Sequence, residues 1–432
     1  MISNNWKEIT LEDVVDVLGD GLHGTPKYDV HGEYYFINGN NLNGKIIVND
    51  QTKKVGKDQY LKYKKDLNDR TILISINGTL GKIAVYNGEK VVLGKSACYF
   101  NVKENYNKEF IKYVMYSKKF KDYLNTHSTG TTIKNMGLKQ MRAFKFHIPS
   151  LAEQNSIANI LSTLDEKIEL NNQINEKLEE LAQYIFKRWF VEFEFPNEDG
   201  NPYKSSGGKF IESEIGLIPE NWSISNLGEV ISVQNGFAFK SKDFKEVGEI
   251  GVIKIKNISE GVVDVNNTQY IDLEVSIKTN EKFLIHGSDI LIAMTGAEVG
   301  KIGIVPQTSK KLYLNQRVGK IIGKINGGKE FVFYYLSRNS VQEQIKSIAM
   351  GSAQPNISST SIENIKSVVP TKSVLEKYGK LTSSIISNYA SNLEQNNNLS
   401  SLRNNILPKL MNGEIPILEI EKEVEECLQK SN

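Results

Sequence analysis

Only two cysteines, Cys98 and Cys427, occur in the 432 residues, too few for a disulfide framework, and neither lies near a histidine or second cysteine at metal-ligand spacing. The five histidines, His23, His31, His127, His147 and His286, are scattered, and no two of them form a ligand motif. There is no run of about 18 apolar residues, and the opening MISNNWKEIT lacks the basic-then-apolar pattern of a signal peptide. A cytoplasmic protein without a membrane partner is expected.

Catalytic motifs are missing as well. Gly296-Ala297-Glu298-Val299-Gly300-Lys301 has one residue too few between its glycines for a phosphate loop, and no Ser or Thr follows the lysine. Gly78-Thr79-Leu80-Gly81-Lys82 is shorter still, and both stretches read as β-turns. No strand leads into a Gly-x-Gly-x-x-Gly run, and the Asn-Pro-Pro-aromatic run of an amino-methyltransferase is absent. Asp165-Glu166-Lys167 and Asp243-Phe244-Lys245 are strings that a Lys- and Glu-rich chain contains by chance. The chain is expected to catalyse nothing and to hold no metal.

What is present is a normal globular composition, 39% hydrophobic and 24% charged, in a chain long enough for two or more domains. The net charge of +2 hides an uneven distribution: residues 1–150 carry 23 Lys and Arg against 15 Asp and Glu, and residues 151–200 carry 4 against 11. A basic globular part beside an acidic segment fits one surface for phosphates and another for protein, although a long helix also simply carries more Glu.

That acidic segment, residues 151–195, contains no Pro or Gly and reads as one helix, of which about 40 helical residues make a rod roughly 60 Å long at 1.5 Å per residue. Ile157, Leu161, Leu164, Ile168, Asn171, Ile174, Leu178, Leu181 and Ile185 recur every 3.5 residues on average, the coiled-coil period. Ser150 is the expected N-cap. Beyond this seam, Phe186, Trp189, Phe190 and Phe193 form an apolar face, expected to pack the helix end onto a globular domain, the alternative being a contact with a partner protein. Before the helix, residues 71–76 and 82–86 read as strands joined by a turn at Asn77-Gly78-Thr79-Leu80-Gly81. Residues 107–123 are helical in pattern, and residues 130–135 are a polar loop.

Almost the whole chain occurs twice. Asn5-Trp6 and Leu11 match Asn221-Trp222 and Leu227, 216 residues on. Ile72-Leu73-Ile74 with Gly78 matches Ile290-Leu291-Ile292 with Gly296 at 218, and Gly81-Lys82-Ile83 matches Gly300-Lys301-Ile302 at 219. Glu109-Phe110, Gly130, Asn135 and Pro149 match Glu330-Phe331, Gly351, Asn356 and Pro370 at 221. Carried into the helix, the offset of 221 gives a second seam at Tyr378, Thr382, Ile385, Tyr389, Asn392, Gln395, Leu399, Leu402 and Ile406, with Asn171 and Asn392 in one register. A seam asparagine can fix pairing at some cost in stability.

The expected architecture is α+β: globular α/β domains at residues 1–150 and 221–371, long helices at 151–195 and 372–413, a linker at 196–220 and an acidic tail at 414–432. The two helices would form an intramolecular antiparallel coiled coil in a pseudo-two-fold tandem repeat, because parallel pairing would oblige the linker to return along the whole rod. Pro408 and Asn396-Asn397-Asn398 weaken the second helix. The tail, with six acidic residues and two lysines, has no evident role.

Three stretches resemble type I restriction-modification specificity (S) subunits. Ile148-Pro149-Ser150-Leu151-Ala152-Glu153-Gln154, with Leu161-Ser162-Thr163-Leu164-Asp165-Glu166-Lys167-Ile168 and Ile185-Phe186-Lys187-Arg188-Trp189-Phe190, looks like their central conserved region. Gly216-Leu217-Ile218-Pro219-Glu220-Asn221-Trp222 resembles the opening of their second target recognition domain, and Leu407-Pro408-Lys409-Leu410-Met411-Asn412-Gly413 their distal end. The resemblance covers nearly the full length. It implies a non-catalytic reader of double-stranded DNA, with two target recognition domains for the halves of a split asymmetric site. It also implies a helix pair that serves as ruler and as docking surface for two methyltransferase (M) subunits. Restriction (R) subunits would complete the nuclease, and S-adenosylmethionine, ATP and Mg would be used by those partners, none being bound by this chain. A type IIB-like specificity subunit and a self-contained nuclease are the alternatives.

For such a reader, lysines would neutralise phosphates and loop side chains would reach base edges. In the first domain the phosphate candidates are Lys53, Lys54, Lys57, Lys62, Lys64 and Lys65, the other reading being a solvated face. Base readers would come from the turn with Asn77, Thr79 and Lys82 and from the loop Thr131-Thr132-Ile133-Lys134. In the second domain Lys254 and Lys256 are phosphate candidates. Thr295, Glu298, Lys301, Asn315, Gln316, Arg317, Ser352 and Gln354 complete the set. Arg317 is the leading base reader, since a bidentate Arg-to-guanine contact is the commonest specific one; its alternative is a surface salt bridge.

Overall fold

The computed structural model describes residues 6–259, 261–350 and 354–430. They fall into two compact units, unit 1 from residues 1–167 with 399–432, and unit 2 from residues 168–398. The division cuts both long helices, α1 (Leu151–Phe186) and α2 (Lys372–Met411), so each unit holds a globular part and a portion of each helix.

Unit 1 is built on strands β1 (Val15–Asp20), β2 (Leu42–Ile46), β3 (Thr71–Ser75), β4 (Ile83–Val85) and β5 (Ala97–Val102), in the order β1-β5-β3-β4-β2. The pairs are antiparallel except β4 with β2. Central β3 and β5 are buried at every residue, as continuous apolar runs such as Ile72-Leu73-Ile74 require. A smaller sheet joins Lys54–Val55, Tyr34–Ile37 and Val91–Leu93. The helical stretch expected over residues 107–123 is two helices, Lys108–Tyr116 and Lys118–His127. Ser117 divides them because its hydroxyl accepts from Phe120 N–H and caps the second, as Asn107 caps the first. Ser150 accepts from Glu153 N–H at 3.3 Å, the cap expected for α1. Asp165 on α1 ties this unit together, accepting from Tyr113 Oη at 2.6 Å and from Arg403 Nη1 of α2 at 2.5 Å. Burial, then the Asp165 charge, pushes the Tyr113 hydroxyl far above its ordinary value. The acidic tail carries a 14-residue helix, Ile417–Lys430, with Ile420 and Val424 buried one turn apart.

Unit 2 repeats the main sheet with β6 (Ile231–Asn235), β7 (Ile258–Ser259), β8 (Gly261–Val263), β9 (Ile290–Ala293), β10 (Ile302–Ile304) and β11 (Val318–Gly323), in the order β6-β11-β9-β10-β8-β7. The pairing matches unit 1, with β10 parallel to β8 as β4 is to β2. Its second sheet has four strands, Gln269–Ile271, Ile250–Ile253, Lys311–Leu314 and Leu284–Ile285.

The first long helix ends sooner than residue 195. After Phe186 comes one wide turn, Lys187–Val191, in which Glu192 N–H reaches Lys187 C=O, and Phe193 then takes φ 59°. The wide turn buries Trp189 and Phe190 in succession against Phe331, Trp222 and Tyr378. Packing of this aromatic end onto a globular part is as the sequence indicates. The presumed linker is ordered: Tyr203 stacks on Phe195, Phe195 stacks on Trp222, and Phe210–Ser213 forms a hairpin with Gly216–Pro219.

Within unit 2, α1 and α2 run antiparallel. Asn171 Nδ2 donates to Gln395 Oε1 (3.1 Å) and Asn396 Oδ1 (3.0 Å), whereas Asn392 Nδ2 donates to Asn175 Oδ1 (2.9 Å). Asn171 and Asn392 therefore do not face each other as their shared register suggests; each has a different amide partner. Two expected seam residues are also displaced, Ile174 being 39% and Leu181 47% exposed, while Asn175 and Ala182 are buried in their place. A step of four residues after Asn171, instead of three, keeps the alternation of four- and three-residue steps that leads up to Asn171 unbroken.

Glu330, matched in unit 1 by Glu109, is 3% exposed, and burial raises its carboxyl above the usual glutamate value. Glu109 has Lys112 at 2.5 Å, whereas the cation paired with Glu330 among the described residues, Lys329, stands at 4.0 Å. A raised folded-state pKa means that the group favours folding below the unfolded glutamate range and that this benefit disappears as pH rises through the folded value. Glu330→Gln is therefore expected to raise the melting temperature of unit 2 at pH 7 and to leave it nearly unchanged at pH 4. Equal shifts at the two pH values would show that burial of charge is not the cause.

Candidate nucleic-acid interface

At one end of the main sheet in unit 1, backbone hydrogen bonds gather loops from distant parts of the sequence. Leu22 N–H reaches Leu93 C=O (2.7 Å), Gly94 reaches Ile37 (2.8 Å), Ile76 reaches Ser96 (3.0 Å), Gly78 reaches Lys134 (2.9 Å) and Met136 reaches Ile76 (2.8 Å). The turn after β3 thus lies against residues 129–136, and Asn77 Nδ2 donates to Asn135 Oδ1 at 3.1 Å. Gly78 has φ 76°, which favours glycine at this turn.

Unit 2 has the same arrangement. Phe237 N–H reaches Leu314 C=O (2.8 Å), Asn315 reaches Ile253 (3.1 Å), Met294 reaches Arg317 (3.0 Å), Gly296 reaches Pro355 (2.9 Å) and Ile357 reaches Met294 (2.9 Å). Three stretches singled out in the sequence, around residues 295–298, 315–317 and 354, therefore meet at one edge.

The individual candidates fare differently. Asn77 and Thr79 share the unit 1 edge with Thr131, Thr132 and Lys134, all exposed except half-buried Asn77. Lys134 Nζ is drawn to Asn125 Oδ1 at 3.3 Å, and Lys82 is half-buried. Lys53, Lys57, Lys62 and Lys64 are exposed and Lys54 and Lys65 half-buried, on or beside the Lys54–Val55 strand and the Lys57–Tyr63 helix. Lys53 and Lys62 stand over the rings of Tyr28 and Tyr63 at 4.4 and 5.1 Å. Among the described residues, no hydrogen bond or ion pair joins these lysines to the loop cluster.

In unit 2, Lys256 is exposed, but Lys254 is half-buried with Nζ 3.3 Å from the centre of the Phe244 ring, and it donates to Gln269. Burial, then Lys256, holds its ammonium below the usual lysine value, and its Nζ is engaged by Gln269 and the Phe244 ring. Thr295 is withdrawn, 4% exposed with a hydroxyl that has no partner among the described residues. Glu298 and Lys301 pair with each other, which reduces what either offers DNA. Asn315 is half-buried, and Gln316, Arg317 and Gln354 are exposed. The Arg317 guanidinium makes no ion pair among the described residues, so the salt-bridge alternative has no support there. Ser352 lies outside the described residues.

Lys95 and Ser96, at the position of Gln316 and Arg317, were not among the sequence candidates, nor was Asn135. The repeat carried the signal: the offset of 221 that pairs Asn135 with Asn356 also takes Arg317 to Ser96. Among the described residues, no three His, Cys, Asp or Glu side chains are grouped to hold a metal, and no helix is long and apolar enough to cross a membrane.

Residues 3–180 and 219–402 each match the model of the type I restriction modification DNA specificity domain. The HindI type I restriction enzyme specificity subunit of Haemophilus influenzae is 25% identical over 473 aligned positions, covering 95% of this chain and all of that protein. The MjaIX type I restriction enzyme specificity subunit of Methanocaldococcus jannaschii is 25% identical over 355, covering 81% of this chain and 78% of that one. The crystal structure of the type I restriction-modification system S subunit from M. genitalium superposes with a TM-score of 0.62 over 95% of this chain and 97% of that one at 19% identity, a likeness of fold.

Proposed function

Because the chain belongs to the type I restriction modification DNA specificity family, we propose that each of its two units reads one half of a bipartite, asymmetric DNA site. The observation that supports this is the loop cluster built twice on one backbone pattern, with different side chains on the two copies. The chain is a type I specificity subunit, so it binds DNA and assembles with other subunits. The finer reading is that it has no catalysis of its own. Two M subunits would supply adenine methylation from S-adenosylmethionine, and R subunits would add ATP- and Mg-dependent cleavage. Co-expressed with its M subunits, it is expected to give adenine methylation at a two-part motif with a fixed spacer, detected by sequencing of modified bases. A continuous motif, or none, defeats the proposal. The purified chain alone with Mg is expected to leave DNA uncut.

A surface on α1 is suited to the M subunits. Leu170, Ile174, Leu181 and Tyr184 are 49%, 39%, 47% and 61% exposed and lie within about 80° on one side of the helix. Apolar groups in such a stripe gain from burial against a partner, and Glu176 and Glu180 lie along one edge of it. Leu181→Glu with Tyr184→Glu is expected to weaken M-subunit binding at least about ten-fold with the fold intact. Unchanged co-purification in a titration of M subunit would place the docking surface elsewhere.

A further inference from the structure

The two loop clusters can be aligned through equivalent hydrogen bonds. Ile76 to Ser96 corresponds to Met294 to Arg317, Gly78 to Lys134 corresponds to Gly296 to Pro355, and Met136 to Ile76 corresponds to Ile357 to Met294. On this framework unit 1 has Asn77, Ser96 and Ile133 where unit 2 has Thr295, Arg317 and Gln354, while Asn135 and Asn356 agree. The chemistry at the edge changes and the backbone does not.

In unit 1 the Asn77 Nδ2 bond to Asn135 Oδ1 uses one of two donor hydrogens on Asn77. Asn77 keeps its amide oxygen and a second N–H, and the bridge between the two backbones fixes where they point. An amide oxygen beside an N–H complements the N6 amino group and N7 of adenine in the major groove. Ile133, 62% exposed in the adjoining loop, gains nothing from water but fits the C5 methyl of a thymine. Unit 2 offers at the matched edge an exposed guanidinium, whose forked donors complement guanine O6 and N7.

We propose that unit 1 reads an A·T pair through the Asn77–Asn135 amide pair and Ile133, and that unit 2 reads a G·C pair through Arg317. The inference rests on the reading that each unit reads one half-site. The complex with M subunits tests it, with modified-base sequencing as readout. Asn77→Ala and Asn135→Ala should relax the same A·T position in one half-site and leave the other half-site intact. Arg317→Ala should lower discrimination at one G·C position of the opposite half-site by about five- to a hundred-fold. A second measurement needs no variant: duplexes with 7-deazaadenine, deoxyuridine for thymine, or 7-deazaguanine at those positions should bind the unaltered complex more weakly. A two-part motif untouched by the variants and the base analogues overturns the inference, as does relaxation of both in one half-site. If the unaltered complex methylates no two-part site, the reading beneath it fails first.

Discussion

Phe190→Ala is expected to cost unit 2 about 3–5 kcal/mol, the range for removing a buried aromatic ring. The ring is 9% exposed and sits edge-on to Phe331 and Tyr378, each 4.8 Å away between centroids, with Phe186 at 5.3 Å and Trp222 at 5.9 Å. Those neighbours come from the end of α1, the start of the second globular part, its helix Gly328–Leu336, and α2. Alanine would leave a void that none of these segments can fill without moving another, so relaxation is limited. Thermal unfolding followed by tryptophan fluorescence should show a fall of about 6–20 °C, given roughly 2–4 °C per kcal/mol for a unit of this size. Phe190→Leu should recover most of it. A shift within a degree or two for the alanine variant would mean that the cluster is not a packed core.

The second large effect concerns salt. Replacing Lys53, Lys57, Lys62 and Lys64 together by alanine removes four exposed cations from one part of unit 1. If each neutralises a phosphate, the slope of log affinity against log salt becomes shallower by about 3–4, since each contact contributes close to 0.9. Affinity near 0.1 M salt should fall by on the order of a hundred-fold or more, on matched and mismatched DNA alike. Binding of the assembled complex to both duplexes over a salt series measures this. A variant with an unchanged slope would make these lysines a solvated face.

The repeat makes much of this architecture legible in the sequence, because diverged copies keep the residues that shape turns and cores. Asn135 with Asn356, Pro149 with Pro370, and the Ile-rich central strands all occupy matched places in the two units. The helix seam is legible as far as Asn171 and again at Leu178 and Ile185, which pack on the core. Between these positions Ile174 and Leu181 keep a 3.5-residue period on the surface, while buried Asn175 and Ala182 carry the true contact face. An exposed apolar stripe and a buried polar seam defeat a reading based on hydrophobicity, since each is the reverse of what burial usually selects. The segment 196–220 misled through composition: its glycines and serines read as linker, but Tyr203 and Phe210 hold it in the aromatic cluster. At the candidate interface, the loops that the sequence singles out meet at one edge of each unit, but the sequence does not show which of their side chains face out. Lys254, Thr295 and the Glu298–Lys301 pair are occupied or withdrawn for reasons of local packing that linear order does not carry.

The bonds that gather the loops at each edge run from main chain to main chain, so they are indifferent to most side chains placed there. Asn77, Ile133 and Arg317 can therefore be exchanged by single substitutions without dismantling the scaffold that presents them. On the proposed reading, a change of target word would require neither a new fold nor altered partner subunits. Two alphabets mounted on one main-chain pattern would then make the protein an inherited text in which individual letters can be rewritten while the grammar stays in place.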